Sequence, residues 1–290
     1  MTDKIQKLIA GGPVVTDGAW GSQFLTQGLE PGAIADAWNL THPGRVEAVP
    51  RAYVEAGSQV ILTNTFNSNR ITLEAHGLTG MISEINRAGV EISRRAAGDG
   101  ALVFASIGPT GKLLVTGEVT AEELLEVFTE QTAILASAGA DAIVIETMGD
   151  LEETKLAVQS AKQTGLPVVA CMVFATGKNK DRTLMGTTPE QAAEALTGAG
   201  ADVIGANCGQ GIAGYVSICR RLRASTYRPV WIKANAGLPE LVDGQAVYRT
   251  TPAEFAAHVP ALVEAGASFI GGCCGTTPDY IRAVAAAVRR

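Results

Sequence analysis

Two adjacent cysteines, Cys273 and Cys274, lie near the C-terminus between glycines, in the run Phe269-Ile270-Gly271-Gly272-Cys273-Cys274-Gly275. Adjacent side chains of a regular strand point to opposite faces, so these thiols need a distorted backbone to reach one target. Glycines permit such a backbone at a strand end, and a disulfide between neighbouring residues is strained. The pair therefore suggests half of a thiolate metal site. The alternative is two inert buried cysteines in a tight turn.

A third cysteine, Cys208, ends a similar apolar run and favours the metal site. Three thiolates suit Zn²⁺ and leave one coordination position open, which is typical of catalytic sites; a structural zinc usually has four protein ligands. Thiolate ligands reduce the Lewis acidity of the metal and suit the binding and deprotonation of a substrate thiol, whose free pKa is about 8.5. The predicted chemistry is alkyl transfer to a thiol.

The composition narrows the class of protein. The chain has 290 residues, 47% of them hydrophobic, and a formal net charge of -6, which argues against a nucleic-acid surface. Its five cysteines, an odd number, do not resemble a secreted disulfide framework. The opening residues Met1–Lys4 are polar rather than a signal peptide, and no apolar run approaches the roughly 20 residues of a membrane span. We expect a soluble protein of the cytoplasm.

A short sequence motif that occurs four times predicts the helices and strands that must position the cysteines. A small residue, a glycine and a small residue precede an apolar run, at 56–58, 138–140, 199–201 and 265–267. An Ala-rich helix ending at a left-handed glycine cap, followed by a buried strand, explains each copy. With four further apolar runs the predicted strands number eight: 14–17, 60–64, 102–107, 142–146, 168–173, 203–208, 230–235 and the run from 269 into the paired cysteines.

Helical stretches separate these strands, and threonines mark several helix starts. Thr120 begins a capping box with Glu123, while Thr188, Thr251 and Thr277 each precede a proline. Eight strands alternating with helices indicate a closed (β/α)₈ TIM barrel. The alternative, an open doubly wound sheet, usually carries a Gly-rich phosphate motif after its first strand, and this chain lacks that spacing. No linker divides the chain, so we predict one domain, residues 1–290.

In a TIM barrel the functional residues lie at the carboxyl ends of the strands. Read in order, those ends are Asp17, Asn64, Ser106, Glu146, Phe174, Cys208, Asn235 and the Cys273–Cys274 pair. The three cysteines from the sixth and eighth strands would converge at one side of the barrel mouth. Cys171, within a strand, and Cys219, within a helix, are predicted to be core residues.

Several of these residues belong to motifs that resemble those of a known family. The motifs Asp17-Gly18-Ala19, Thr63-Asn64-Thr65-Phe66-Asn67, Gly205-Ala206-Asn207-Cys208, Ala234-Asn235-Ala236-Gly237-Leu238-Pro239 and Gly271-Gly272-Cys273-Cys274-Gly275 resemble the homocysteine S-methyltransferase family over essentially the whole chain. The resemblance implies that Cys208, Cys273 and Cys274 bind Zn²⁺ and that the thiolate of homocysteine takes the remaining position.

The resemblance also implies where the amino-acid end of homocysteine is held, namely at Asp17, Gly18 and Glu146. Glu146 would accept from the ammonium, and backbone N–H groups near Gly18 would receive the carboxylate. The alternatives are a barrel-mouth salt bridge for Glu146 and a turn cap for Asp17. Asn235 would occupy the open metal position until substrate arrives.

Within the family, the motifs around Asn64 and Asn235 are most similar to the homocysteine module of cobalamin-dependent methionine synthase. The betaine-using branch has a tyrosine directly after the glutamate, and this chain has Thr147 there. A methylcorrinoid on a separate protein is therefore the expected donor. The alternatives are S-methylmethionine or a betaine-like donor, or a non-catalytic zinc- or thiol-binding component of an assembly.

Overall fold

The computed structural model describes residues 2–242 and 245–289. Eight parallel strands form one sheet. A parallel bridge between Thr16 and Val60 joins its two ends and closes the barrel. The predicted TIM barrel is confirmed, and the open-sheet alternative is wrong. The barrel strands are β1 Val14–Val15, β2 Val60–Ile61, β3 Leu102–Ile107, β4 Ala142–Met148, β5 Val168–Met172, β6 Val203–Gly211, β7 Val230–Asn235 and β10 Ala267–Gly272. Their order in the sheet is β1-β10-β7-β6-β5-β4-β3-β2.

Helices surround the barrel, and a small hairpin extends from it. The hairpin consists of β8 Glu240–Val242 and β9 Gln245–Val247 and lies in the connection after β7. The α-helices are α1 Asp3–Ile9, α2 Gly21–Thr26, α3 Trp38–Thr41, α4 Pro43–Glu55, α5 Arg70–Ala75, α6 Ile82–Ala97, α7 Ala121–Ser137, α8 Leu151–Lys162, α9 Pro189–Gly198, α10 Ile212–Ala224, α11 Pro252–Ala256, α12 Val259–Glu264 and α13 Pro278–Val288.

The four copies of the repeated motif fold as predicted, with a helix that ends near a left-handed glycine and a strand that follows. Gly57, Gly139, Gly200 and Gly266 all have positive φ, at 107°, 95°, 97° and 96°. Each glycine is the second residue after the end of a helix, and a barrel strand begins within a few residues. The left-handed conformation ends the helix and turns the chain back toward the barrel, which favours glycine at these positions.

The predicted helix caps are largely confirmed. The hydroxyl of Thr120 accepts a hydrogen bond from the backbone N–H of Glu123. Thr188 and Thr251 form reciprocal capping boxes with Gln191 and Glu254. Thr277 lies at the N-cap of α13 ahead of a proline, but its side chain makes no cap hydrogen bond. The proline alone therefore marks that helix start.

Two apolar layers make up the core. Inside the barrel, Trp231 stacks on Phe104 at 6.1 Å and packs against Phe269 at 5.0 Å between ring centroids. Cys171 belongs to this inner layer, and Cys219 lies in the outer layer between the barrel and the helices; both are fully buried. Their prediction as core residues is confirmed.

Several strand boundaries differ from those predicted. β1 and β2 are shorter, ending at Val15 and Ile61, while β4 and β6 continue to Met148 and Gly211. The register of both longer strands shifts near their ends, so local irregularities explain the extra residues. No helix in the described ranges is both long and apolar enough to span a bilayer. The assignment of residues 1–290 to one domain stays a prediction.

Candidate active site

Three cysteine sulfurs meet at one side of the barrel mouth. Cys208 lies near the end of β6, and Cys273 and Cys274 directly follow β10. The three Sγ atoms lie within 4.8 Å of one another, with Cys208 Sγ and Cys274 Sγ 3.8 Å apart. Tetrahedral Zn²⁺ with Zn–S bonds of about 2.3 Å separates two of its sulfurs by about 3.8 Å. The spacing therefore fits a zinc-sized ion.

An unusual backbone aims these thiols at one point. Cys208 has φ of 61°, a left-handed conformation that non-glycine residues seldom adopt. The hydroxyl of Tyr215 donates to the carbonyl oxygen of Cys208 at 2.6 Å and holds this conformation. Beyond the cysteine pair, Gly275 is also left-handed, with φ of 80°. The expectation that a distorted strand end lets Cys273 and Cys274 converge is confirmed.

The three thiols differ in acidity because they share hydrogen bonds. Hydrogen bonds from Cys273 and Cys274 lower the pKa of Cys208 to about 3. The bond to Cys208 raises the pKa of Cys274 to about 12, and the pKa of Cys273 is also raised, first by its bond to Cys208. One thiolate on Cys208, stabilised by two thiols, is therefore the favoured state without a metal.

Glu146, predicted at a strand end, lies on β4 beside the cysteines and is only 8% exposed. Ser106 Oγ donates to Glu146 Oε1 at 2.6 Å, and Asn207 Nδ2 donates to Oε2 at 3.3 Å. Burial raises the pKa of Glu146, while the charge of Lys233 and the bond from Ser106 oppose that shift. The carboxylate is thus fixed in place at the site with capacity to accept another donor.

Asn207 links Glu146 to the cysteines, although the sequence did not single it out. Its Oδ1 accepts from the backbone N–H of Thr147 at 2.7 Å, and its Nδ2 lies 3.9 Å from Cys273 Sγ. Thr147 is left-handed, with φ of 62°. An amide residue at the end of an apolar run and directly before a predicted metal ligand was the signal in the sequence that could have identified Asn207, which the structure shows to be fully buried.

Asp17 is fully buried and already fully paired. Its Oδ1 accepts from Lys233 Nζ at 2.5 Å, and its Oδ2 accepts from Leu62 N at 2.8 Å and Trp20 Nε1 at 2.7 Å. Asp17 does not line the cavity, whereas Gly18 does. At Gly18 a Cβ atom would lie 2.6 Å from the ring of Tyr53, so no larger residue fits there. The direct contact between Asp17 and substrate stays a prediction.

Lys233, which the sequence analysis missed, lines the cavity from β7 and is 2% exposed. Burial disfavours its ammonium form, but the carboxylates of Asp17 and Glu146 and the sulfur of Cys273 outweigh burial and raise its pKa. A lysine inside an otherwise apolar strand was the available signal.

Asn235, at the end of β7, is 5% exposed and hydrogen-bonds the Cys208 sulfur. Its Oδ1 is buried and has no hydrogen-bond partner in the part of the chain that the structure describes. An unpaired buried amide oxygen next to three thiols is a suitable fourth metal ligand.

A cavity of about 300 Å³ opens beside the sulfurs, and the predicted residues Gly18, Glu146, Cys208, Cys273 and Cys274 line it. The strand-end residues Asn64 and Ser106 also line this cavity, while Phe174 is buried in the core. The remaining lining residues are Ala19, Trp20, Gly21, Ser22, Ala35, Asp36, Leu62, Thr63, Phe66, Asn67, Thr147 and Lys233.

Solved structures share this fold. The chain superimposes on the metallated form of the homocysteine methyltransferase MmuM from Escherichia coli with a TM-score of 0.79 and 22% identity, over 94% of this chain and 96% of that one. For the oxidized form of the same protein the TM-score is 0.80 at 21% identity, over 97% and 99% of the chains. At this identity the likeness concerns the fold alone.

Comparisons of the sequence show the family in addition to the fold. The chain is 34% identical over 307 aligned residues to methionine synthase of Mycobacterium leprae, which covers 100% of this chain and 25% of that protein. It is also 34% identical over 296 residues to methionine synthase of Mycobacterium tuberculosis, over 95% and 24%. The chain thus spans about a quarter of these relatives. The sequence profile described as homocysteine S-methyltransferase matches residues 14–288. The chain belongs to the homocysteine S-methyltransferase family, which confirms the predicted enzyme class.

Proposed function

We propose that this protein transfers a methyl group to the sulfur of homocysteine and thereby forms methionine. The observation that carries the proposal is the set of three sulfurs, spaced for zinc, that opens onto the same cavity as Glu146. Membership of the homocysteine S-methyltransferase family supports this acceptor. A homocysteine bound there has its sulfur at the cysteines and its ammonium within reach of a carboxylate.

We assign Cys208, Cys273 and Cys274 as the residues that hold Zn²⁺, with Asn235 as the fourth ligand in the absence of substrate. The unpaired Asn235 Oδ1 and the 3.8 Å sulfur spacing support this assignment. The chemistry that zinc supplies at such a site is deprotonation of a thiol, which leaves a sulfur nucleophilic at neutral pH. We place the enzyme in the reducing cytoplasm because all five cysteines are free.

The polar residues of the chain orient the substrate. Glu146, held by Ser106 and Asn207, accepts from the ammonium of homocysteine, and its buried position excludes competing water. In the reaction the homocysteine sulfur attacks the methyl carbon in line and forms the new S–C bond. The bond between methyl and donor breaks, and its electron pair leaves with the donor.

We propose that the donor is a methylcorrinoid carried on a separate protein. Nine large apolar side chains are exposed among the described residues, and seven of them lie in segments that follow barrel strands, on the same side of the barrel as the cavity. We call these seven the apolar rim: Leu25, Met81, Val115, Leu184, Met185, Leu238 and Leu241. Exposed apolar side chains on the side of the barrel that carries the site would suit the docking of a protein that delivers the methyl group.

A donor screen tests this function. The zinc-loaded protein is incubated with homocysteine and methylcobalamin, S-methylmethionine or betaine, and methionine is measured. Methionine formation with methylcobalamin and not with the two onium compounds is expected. Activity with an onium donor only would keep the acceptor and overturn the donor. No methionine with any donor, despite bound zinc and bound homocysteine, would favour a non-catalytic thiol-binding component.

A further inference from the structure

Lys233 is a buried cation whose bonding capacity is only partly used. An ammonium has three N–H donors, yet among the described residues Nζ has a single hydrogen-bond partner, Asp17 Oδ1. The side chain is 2% exposed and lines the cavity that also contains Glu146. Since unused donors on a buried charge are unfavourable, the remaining N–H groups are suited to a ligand.

Asp17 keeps Lys233 in this position. The carboxylate is anchored on its other oxygen by the N–H groups of Leu62 and Trp20, at 2.8 and 2.7 Å, and it is fully buried. It therefore cannot follow a ligand into the cavity. Its fixed negative charge stabilises the ammonium, so the buried pair presents a permanent hydrogen-bond donor to the cavity.

The backbone beside Gly18 offers fewer donors than its sequence suggests. The N–H of Ala19 already donates to Thr276 Oγ1 at 3.1 Å, and the same hydroxyl donates to the carbonyl of Cys273 at 2.8 Å. The carbonyl of Ala19 accepts from the hydroxyl of Tyr53 at 2.6 Å. The N–H of Ala19 is thus committed to the fold and is not available to an incoming carboxylate.

We propose that Lys233 is a substrate-binding residue that receives the α-carboxylate of the acceptor, while Glu146 takes its ammonium. This inference rests on the proposed function and adds the residue that would make the site prefer a thiol with an α-carboxylate over the same thiol without one. The two charged ends of the substrate then face opposite charges on β7 and β4. Asp17 acts as a positioning residue through Lys233.

A comparison of homocysteine with a ligand that lacks the carboxylate tests whether Lys233 binds substrate or only forms a structural ion pair with Asp17. Isothermal titration of the zinc-loaded protein gives Kd values for L-homocysteine and for 3-aminopropane-1-thiol, which has the same thiol and amine but no carboxylate. In the natural protein homocysteine should bind about tenfold or more tightly, as for a hydrogen bond between charged groups. Equal affinity for the two thiols would overturn the proposal.

Variants then assign the preference to Lys233. Lys233→Met combined with Asp17→Asn removes both charges together, so that no buried charge is left unpaired. The ratio of the Kd of 3-aminopropane-1-thiol to the Kd of homocysteine should fall toward one, while 3-aminopropane-1-thiol still binds. Asp17→Asn alone leaves Lys233 in the cavity without its charged partner, so it should reduce the preference, but by less than the double variant does. If the double variant does not fold, Lys233→Gln, which keeps a donor toward Asp17, should show the same loss in weaker form.

The possible outcomes distinguish failure of the role of Lys233 from failure of the proposed function. A preference that survives in the Lys233 variants overturns the role of Lys233 and leaves methyl transfer to homocysteine intact. Failure of the zinc-loaded natural protein to bind either thiol overturns both proposals. Loss of the preference, with binding of the carboxylate-free thiol retained, is the expected result.

Discussion

At the scale of single residues, five cysteines of one chemical type divide into two groups by position. Cys208, Cys273 and Cys274 share a point at the barrel mouth, while Cys171 and Cys219 are fully buried in apolar layers. Burial raises the pKa of Cys171 well above its ordinary value, which keeps that thiol protonated and inert. Environment, rather than residue type, therefore decides which thiols can bind a metal.

Replacing any one of Cys208, Cys273 and Cys274 by alanine should sharply reduce zinc retention, because two sulfur ligands remain. The matched controls are Cys171→Ala and Cys219→Ala, which remove a buried thiol of the same size and should leave about one zinc per chain. Metal analysis of the dialysed proteins measures this. Full zinc retention after loss of Cys208 would show that the metal is held elsewhere.

Glu146→Gln should weaken homocysteine binding by about tenfold or more, because an amide keeps the shape and removes the charge that meets the ammonium. Zinc content should stay normal. The raised pKa of Glu146 adds a pH effect: as pH falls through that pKa, the carboxylate is protonated and binding weakens, and the variant lacks this component. Calorimetric affinities across pH test it, and an unchanged affinity would assign Glu146 a structural role.

At the scale of elements, the barrel strands were readable from the sequence; β3 and β7 end where predicted, whereas β1, β2, β4 and β6 do not. The repeated motifs at Gly57 and Gly266 predicted where helices end and strands begin, since a left-handed helix cap favours glycine. The left-handed backbones of Thr147 and Cys208 have no such signal, because tertiary contacts impose them. Lys233 was missed for a related reason: its partner Asp17 lies 216 residues away.

Gly271→Ala tests whether close strand packing supports the site. A Cβ atom there would lie 2.0 Å from Thr16 Oγ1 and 2.6 Å from the carbonyl oxygen of Asp17, across the contact between β10 and the first strand. Overpacking of this kind costs about 1–3 kcal/mol, and displacement of β10 should also weaken zinc binding. Denaturant unfolding and metal titration measure the two effects.

Gly198→Ala is the matched control for Gly271. Gly198 ends α9, and no atom lies within 4 Å of the position of its added Cβ. Because alanine is the better helix former, this change should be neutral or stabilising by up to about 1 kcal/mol. Equal destabilisation by the two substitutions would show that the predicted clash at Gly271 does not decide the outcome.

At the scale of the whole molecule, closure of the barrel places residues from both ends of the chain in one site. Gly18 follows the first strand and Cys273 follows the last, and the β1–β10 pairing brings them to the same cavity. The alternation of eight strands and helices made this proximity predictable, because parallel strands end at one face. The detailed shape of the rim was not predictable, since loop conformations depend on packing.

Leu241→Asp combined with Val115→Asp tests the apolar rim, since these side chains are 80% and 73% exposed. Methyl transfer from a protein-bound methylcorrinoid should slow, because a docking surface loses apolar area and gains charge, while transfer from free methylcobalamin should be retained. Tyr227→Asp, at a side chain 73% exposed before β7 and outside the rim, is the control. Unchanged transfer from the protein-bound donor would contradict docking at the rim.

Proton release on thiol binding tests the central claim, that the three-cysteine site activates homocysteine by deprotonation. The free thiol, with a pKa of about 8.5, is roughly 97% protonated at pH 7. Binding to the zinc-loaded protein should therefore release nearly one proton per site, less as pH rises past 8.5, and little without zinc. Calorimetric titration in two buffers of different ionisation enthalpy measures this without any methyl donor. Tight binding to the zinc form with no proton release at pH 7 would contradict the account.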